Sequence, residues 1–244
     1  MRLLKFPGSS INKYVNYKNF YLSEWLWRRF KSTVIVKRQV ELKKSNYMFV
    51  FWWQGIAEAP EIVKACIKSI QYWCLDNTIT ILDEDNYSNY VSMPSCVINA
   101  FSKGEVSIAH FSDVMRFELL RKYGGIWIDA TCFITHPIPQ YVYDYSFFSL
   151  NGAYTNDLNW KWTSWFMSVK KGDLLVENMC RFYKVYWSKH TVALTYLFLD
   201  CWILALYNHI PSLREEIDKL PDCRGKCYRI SSNWNKPYSN ELYT

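Results

Sequence analysis

Ser112–Phe133, SDVMRFELLRKYGGIWIDATCF, is the stretch that decides the fold. Asp113 and Arg116 stand one helical turn apart in it. The chain then turns at Gly124-Gly125 and runs through Ile126-Trp127-Ile128 into Asp129. A carboxylate that ends a short apolar strand lies where an open α/β sheet binds its ligand. The segment Ala109 to Lys122 carries Phe111, Val114, Met115, Phe117, Leu119 and Leu120 around most of a helical circumference, so the helix is expected to be buried. Charged side chains seldom lie inside a fold unpaired. Asp113 and Arg116 can therefore be a structural i,i+3 ion pair, or part of a site with Asp129, which the tight turn returns alongside the helix. Asp129 can cap the next turn, or bind a hard divalent cation or the ribose of a nucleotide.

The flanking sequence supplies the rest of an α/β domain. Tyr47 to Trp53 is a short aromatic strand, and Glu61 to Trp73 has Ile62, Val63, Cys66, Ile67 and Ile70 at helical spacing behind Pro60. Thr78 to Leu82 is a β-branched strand, and a helical piece runs from Pro94 through Phe101. Alternation of strand and helix from 47 to 129 predicts a mostly parallel, doubly wound sheet. Later, Phe147 to Leu150 and Trp165 to Val169 read as short strands, with helices at Leu174 to Trp187 and Thr191 to Tyr207. Asp200 sits in the second of these among Leu197, Phe198, Leu199, Trp202 and Ile203. An acid there belongs either to a site or to a buried hydrogen bond. Trp160, Trp162 and Trp165 can stack on sugar rings or fill the core.

The net charge of +7 is unevenly placed. Residues 1–50 hold eleven Lys or Arg against two Glu, and the remainder is slightly acidic. Trp25, Trp27 and Phe30 lie among Arg28, Arg29 and Lys31, as suits an anionic membrane surface. A solvated helix packed on the main domain is the other reading. No nucleic-acid recognition motif accompanies the charge, so no nucleic acid is expected as partner. There is no run of 18 apolar residues and no secretory signal pattern, which places the chain in the cytoplasm, with peripheral contact at the membrane face. The eight cysteines then read as reduced thiols, with Cys223 and Cys227 the one pair spaced to bind a metal or each other. The division expected is a basic aromatic helical arm, 1–45, and one catalytic-size domain, 46–244.

The run SDVMRFELLRKYGGIWIDAT resembles the signature of glycosyltransferases with a DXD sugar-binding region: S-D-x-x-R, a helix, G-G, then a strand ending D-x-D. It is similar above all to their capsular polysaccharide synthesis branch, with D-A-T in place of D-x-D. The opening FVFWWQGIAEAPEIVKACIKSI, the stretch WTSWFMSVKKGD and the run ending at Asp200 are similar to that branch too, so that the likeness extends from Tyr47 to Tyr207. It implies a GT-A fold, Rossmann-like, and transfer of a sugar from a nucleotide-sugar, UDP-linked first, with retention, to a capsular or other surface polysaccharide acceptor carried on lipid. By the same resemblance Trp53 and Gln54 lie near the nucleotide base, Asp113 and Arg116 face donor sugar and phosphates, and Asp129 lies near ribose and metal. Asp200 and Asp113 are the candidate carboxylates for the oxocarbenium-like sugar. In the tail, Lys236 can reach a diphosphate and Trp234 can cover the donor. The cation implied is Mn²⁺ or Mg²⁺, but Thr131 stands where the second carboxylate of D-x-D is the direct ligand, leaving Asp129 and, at a distance, His136. Thr131 also keeps open a non-catalytic, membrane-associated scaffold on a degenerate transferase fold.

Overall fold

The first strand forms because five consecutive large apolar residues, Tyr47–Phe51 (β1), suit a pleated surface buried on both faces. The computed structural model describes residues 8–38, 40–151 and 161–223, with side chains from residue 17 onward. In it β1 is followed by α2 (Glu61–Trp73), β2 (Thr78–Leu82), the short helices α3 (Tyr87–Tyr90) and α4 (Ser95–Ser102), α5 (Ile108–Tyr123) and β3 (Gly125–Ile128). The second half supplies β4 (Phe147–Ser149), β5 (Phe166–Val169), α6 (Leu174–Trp187), α7 (Phe198–His209) and α8 (Pro211–Asp218). Ahead of them all lies α1 (Gly8–Phe30).

The five strands form one mixed sheet in the order β2-β1-β3-β5-β4. β1 pairs in parallel with β2 and β3, whereas β5 runs against both β3 and β4. Four strands thus share one direction, as the alternating pattern predicts, and β5 alone opposes them. The chain leaves β1 for β2 on one side and then crosses to β3 on the other. β1 and β3 therefore flank the point where the winding reverses, and ligands of such sheets bind outside the carboxyl ends of the strands there.

Gly125 lets the two strands meet. Its φ is +94°, and a Cβ built on it would lie 2.2 Å from the Tyr47 carbonyl oxygen. Gly124 before it closes α5 with φ +68°, and a Cβ built there would lie 2.6 Å from the Lys171 amide nitrogen. The core is strongly aromatic. Phe182 stacks on Trp202 at 4.3 Å between ring centroids, and Trp127, Phe111 and Phe117 lie against the sheet. Leu26 and Phe30 of α1 belong to the same core, so the first helix is docked on the domain, with α7 as its neighbour.

Apart from the single-turn α3, two helices depart from the sequence reading. The predicted helix from Thr191 to Tyr207 begins only at Phe198. Upstream, the Tyr186 hydroxyl donates to the Val192 carbonyl at 2.7 Å, holding β-branched Thr191-Val192 in an irregular path. Conversely α8 was not expected; Pro211 in its first turn is the signal that marks it. Cys66, Cys74, Cys96, Cys132, Cys180 and Cys201 are free thiols, and Cys227 and the tail with Trp234 and Lys236 lie outside the described residues. No described helix is long and apolar enough to cross a membrane.

Candidate active site

An open cavity of about 310 Å³ lies at the carboxyl ends of β1 and β3, within the range of small-molecule sites. Three segments line it: Phe51 to Gln54 after β1, then Ile108, Ala109, Ser112 and Arg116 from α5, then Trp127 and Asp129 to Thr131 at the end of β3. The first turn of α5 therefore faces the cavity. Its N-cap is Ser107, whose hydroxyl accepts from the His110 amide, and the helix end carries the partial positive charge that favours anions.

Arg116 is the centre of the arrangement. Its side chain is only 4% exposed. Nη1 donates to Asp113 Oδ1 at 3.0 Å and Nη2 to Asp129 Oδ1 at 3.2 Å. The guanidinium also lies over the Trp127 ring, 4.8 Å from its centroid. Trp127 in turn donates from Nε1 to Asp129 Oδ1 at 2.7 Å. The i,i+3 pair is an ion pair, and Arg116 also meets Asp129 at the cavity. Asp113 does not itself line the cavity. Burial pushes its carboxyl above the usual range, and Arg116 opposes that shift.

The arrangement is rich in donors. Trp52 Nε1 and Arg116 Nε are buried with no hydrogen-bond partner among the described residues. Buried donors are normally satisfied, so both suit a ligand dense in acceptor oxygens. Trp53 is half-buried, wedged between Phe101, Phe111 and Tyr87, and Gln54 beside it is exposed at the rim.

Asp200 stands apart from the cavity lining. Its Oδ1 accepts from Trp162 Nε1 at 3.0 Å. That bond, with Trp162 buried, takes Trp162 out of any acceptor platform; Trp165 is half-buried, and Trp160 lies outside the described residues. His136 stacks on Trp73, away from the lining residues. Burial pushes the Asp200 carboxyl up to about 7, and neighbouring Asp113 adds to the shift. The folded protein therefore keeps the Asp200 proton through a window in which the unfolded chain, titrating near ~3.9, has released it. More protons are bound by the folded state, so this group makes stability fall as pH rises from about 4 to about 7. Asp200→Asn keeps the acceptor for Trp162. It is expected to match the wild type at pH 4 and to melt at least ~3 °C higher at pH 8. Equal melting temperatures at pH 8 would show that the carboxylate is well solvated.

The described residues contain no group of three His, Cys, Asp or Glu side chains arranged to hold a metal. Asp129 is the one carboxylate lining the cavity, and one of its oxygens already accepts from Arg116 and Trp127. Thr131 is exposed beside it. This donor set does not fit a resident metal centre. It does fit an ion that arrives on a diphosphate, since Mg²⁺-type cations keep waters and take only one or two protein carboxylates.

Three side chains here were not singled out from sequence: Trp52, Ser112 and Trp127. The first lies in the same WWQG run as Trp53, and the alternation of a strand end alone does not say that both indoles line the cavity. Trp127 reads as a core strand residue, and it is one, at 2% exposure. Its second role, orienting Asp129 two residues on, follows the strand period and was legible from it.

Comparison with known proteins accords with this picture. The chain is 26% identical over 195 residues to the O-glycosyltransferase braB of Annulohypoxylon truncatum, a match covering 71% of this chain and 44% of that relative, so the chain spans less than half of the relative's length. Among solved structures, the PaToxG glycosyltransferase shares the fold with a TM-score of 0.51 and 13% identity, covering 83% of each chain. The family model described as capsular polysaccharide synthesis protein matches residues 6–244, and the chain belongs to that family.

Proposed function

We propose that the protein is a GT-A-type glycosyltransferase that moves a sugar from a nucleotide-sugar, UDP-linked first, to a hydroxyl of a surface polysaccharide acceptor carried on lipid. The observation that carries this reading is Arg116, a buried cation that bridges Asp113 and Asp129 and lines a cavity at the reversal point of the sheet. Family membership supports it, as does the relative whose name is O-glycosyltransferase. Retention of the anomeric configuration follows from the family resemblance.

In the reaction, the bond from the anomeric carbon to the diphosphate oxygen breaks and its electron pair leaves with the phosphate. The acceptor oxygen bonds to that carbon and passes its proton to the departing diphosphate. Negative charge grows on the leaving diphosphate, and preorganised donors aimed at it stabilise the transition state. Arg116 and the first turn of α5 supply that positive potential without reorganising. A divalent cation borne by the donor would add charge neutralisation beside Asp129. Trp52, Trp53 and Gln54 would take the base, and Asp113 would hold Arg116 to its task.

The test is slow hydrolysis of UDP-, GDP- and CMP-sugars, with and without Mn²⁺. One donor class is expected to turn over. Asp129→Asn keeps an acceptor for Trp127 but removes the charge. It is expected to lower hydrolysis by at least ~100-fold and abolish any stimulation by Mn²⁺, with the melting temperature unchanged. A flat response across all donors would sink the proposal. Nucleotide binding without turnover would favour the non-catalytic scaffold.

A further inference from the structure

We propose that the outward face of α1 is a docking surface for an anionic lipid bilayer. The helix has two unlike sides. Asn19, Ser23, Leu26 and Phe30 recur at i, i+4, i+7 and i+11 and are all buried, so this stripe is the side turned to the domain. At 100° per residue, Tyr17, Tyr21 and Arg28 fall on the opposite side. Tyr17 is 63% exposed, Tyr21 56% and Phe20 49%. Three aromatic side chains in five residues are thus held out in water by a helix whose other side is satisfied.

Their arrangement is that of an interfacial surface. The Tyr17 and Tyr21 rings meet edge to face at 4.5 Å, with their hydroxyls 2.7 Å apart. The Arg29 guanidinium lies 4.5 Å over the half-buried Trp25 ring. Tyr and Trp favour the headgroup level of a bilayer, where one end is wet and the other apolar. Lys18, Arg28, Arg29 and Lys31 are exposed around them. Glu24 is the single acid in the first forty residues, and it is taken up by His209 Nε2 at 3.0 Å. The face therefore carries a net positive charge next to exposed rings. Charge alone would suit any polyanion. The exposed rings next to it, with no described helix able to span a membrane, fit a helix lying in the plane of an anionic surface.

The experiment is cosedimentation of the full chain with vesicles of phosphatidylcholine, with and without phosphatidylglycerol. Its readout needs no turnover, so it stands apart from the proposed chemistry. Binding is expected to the anionic vesicles and to weaken with salt. Arg28→Gln/Arg29→Gln should lower the partition roughly thirtyfold, at about fivefold per charge lost from the surface. Tyr17→Ser/Tyr21→Ser should weaken it at low and high salt alike, because rings are not screened. Unchanged melting temperatures would show that both pairs leave the fold intact. Failure to bind anionic vesicles, equal binding by wild type and both variants, or tighter binding to an RNA oligonucleotide than to the vesicles would each overturn the proposal.

Discussion

Arg116→Met is expected to cost about 3 kcal/mol of stability and on the order of 10³ in donor turnover. The stability term comes from what is left behind. Methionine fills similar volume against Trp127, but Asp113 then loses the cation that supports its buried charge. Breaking a buried pair by removing one partner is costly for that reason. The Asp129 contact adds less, since that carboxylate is 36% exposed and partly screened. The turnover term follows if the guanidinium is the fixed positive group at the leaving diphosphate. Urea unfolding and donor hydrolysis measure the two separately. An unchanged urea midpoint would mean that Asp113 is neutral in the folded protein and needs no partner. Arg116→Lys keeps a charge but cannot reach two carboxylates in one plane, so it should recover stability more than rate.

Gly125→Ala carries the other large effect, through packing alone. The added methyl would stand 2.2 Å from the Tyr47 carbonyl oxygen and 2.9 Å from its carbon, at a φ of +94°. Neither partner can move freely: Tyr47 starts β1, which is paired on both sides. Alanine must therefore open the β1–β3 contact, and a loss above ~4 kcal/mol is expected. The variant should accumulate as insoluble protein or melt far below the wild type. Near-normal melting would show that the two strands can separate at this end without cost. The equivalent change at Gly104, which has nothing within 4 Å, faces only the backbone penalty and serves as the control.

How far the sequence spoke differs by element. α2 and α6 begin and end where the sequence reading puts them, because Pro60 and Asp173 mark their starts and the apolar spacing is regular. The β1–α5–β3 site was legible for a similar reason: charged residues inside an apolar helix demand partners, and Asp129 was near enough in the chain to be one. The false start of α7 at Thr191 came from composition without a cap. A run of apolar residues says that a segment is buried and not that it is helical. Asp200 was ambiguous because sequence cannot say whether a nearby indole will satisfy it, and Trp162, thirty-eight residues away, does. The reversed direction of β5 was hidden as well. Strand polarity is set by the path of the connecting segment, and the turn dipeptide Asn151-Gly152 after β4 is the signal in it that went unread.

The described residues that line the cavity all fall between Phe51 and Thr131, whereas β4, β5 and α6 to α8 stand behind them as backing. The described cavity lining and the elements behind it are thus carried by consecutive halves of one chain. The latter half can drift in sequence while its greasy contours persist, leaving the cavity end intact. Variation from one such protein to another can therefore accumulate in the backing without any change in what the pocket holds.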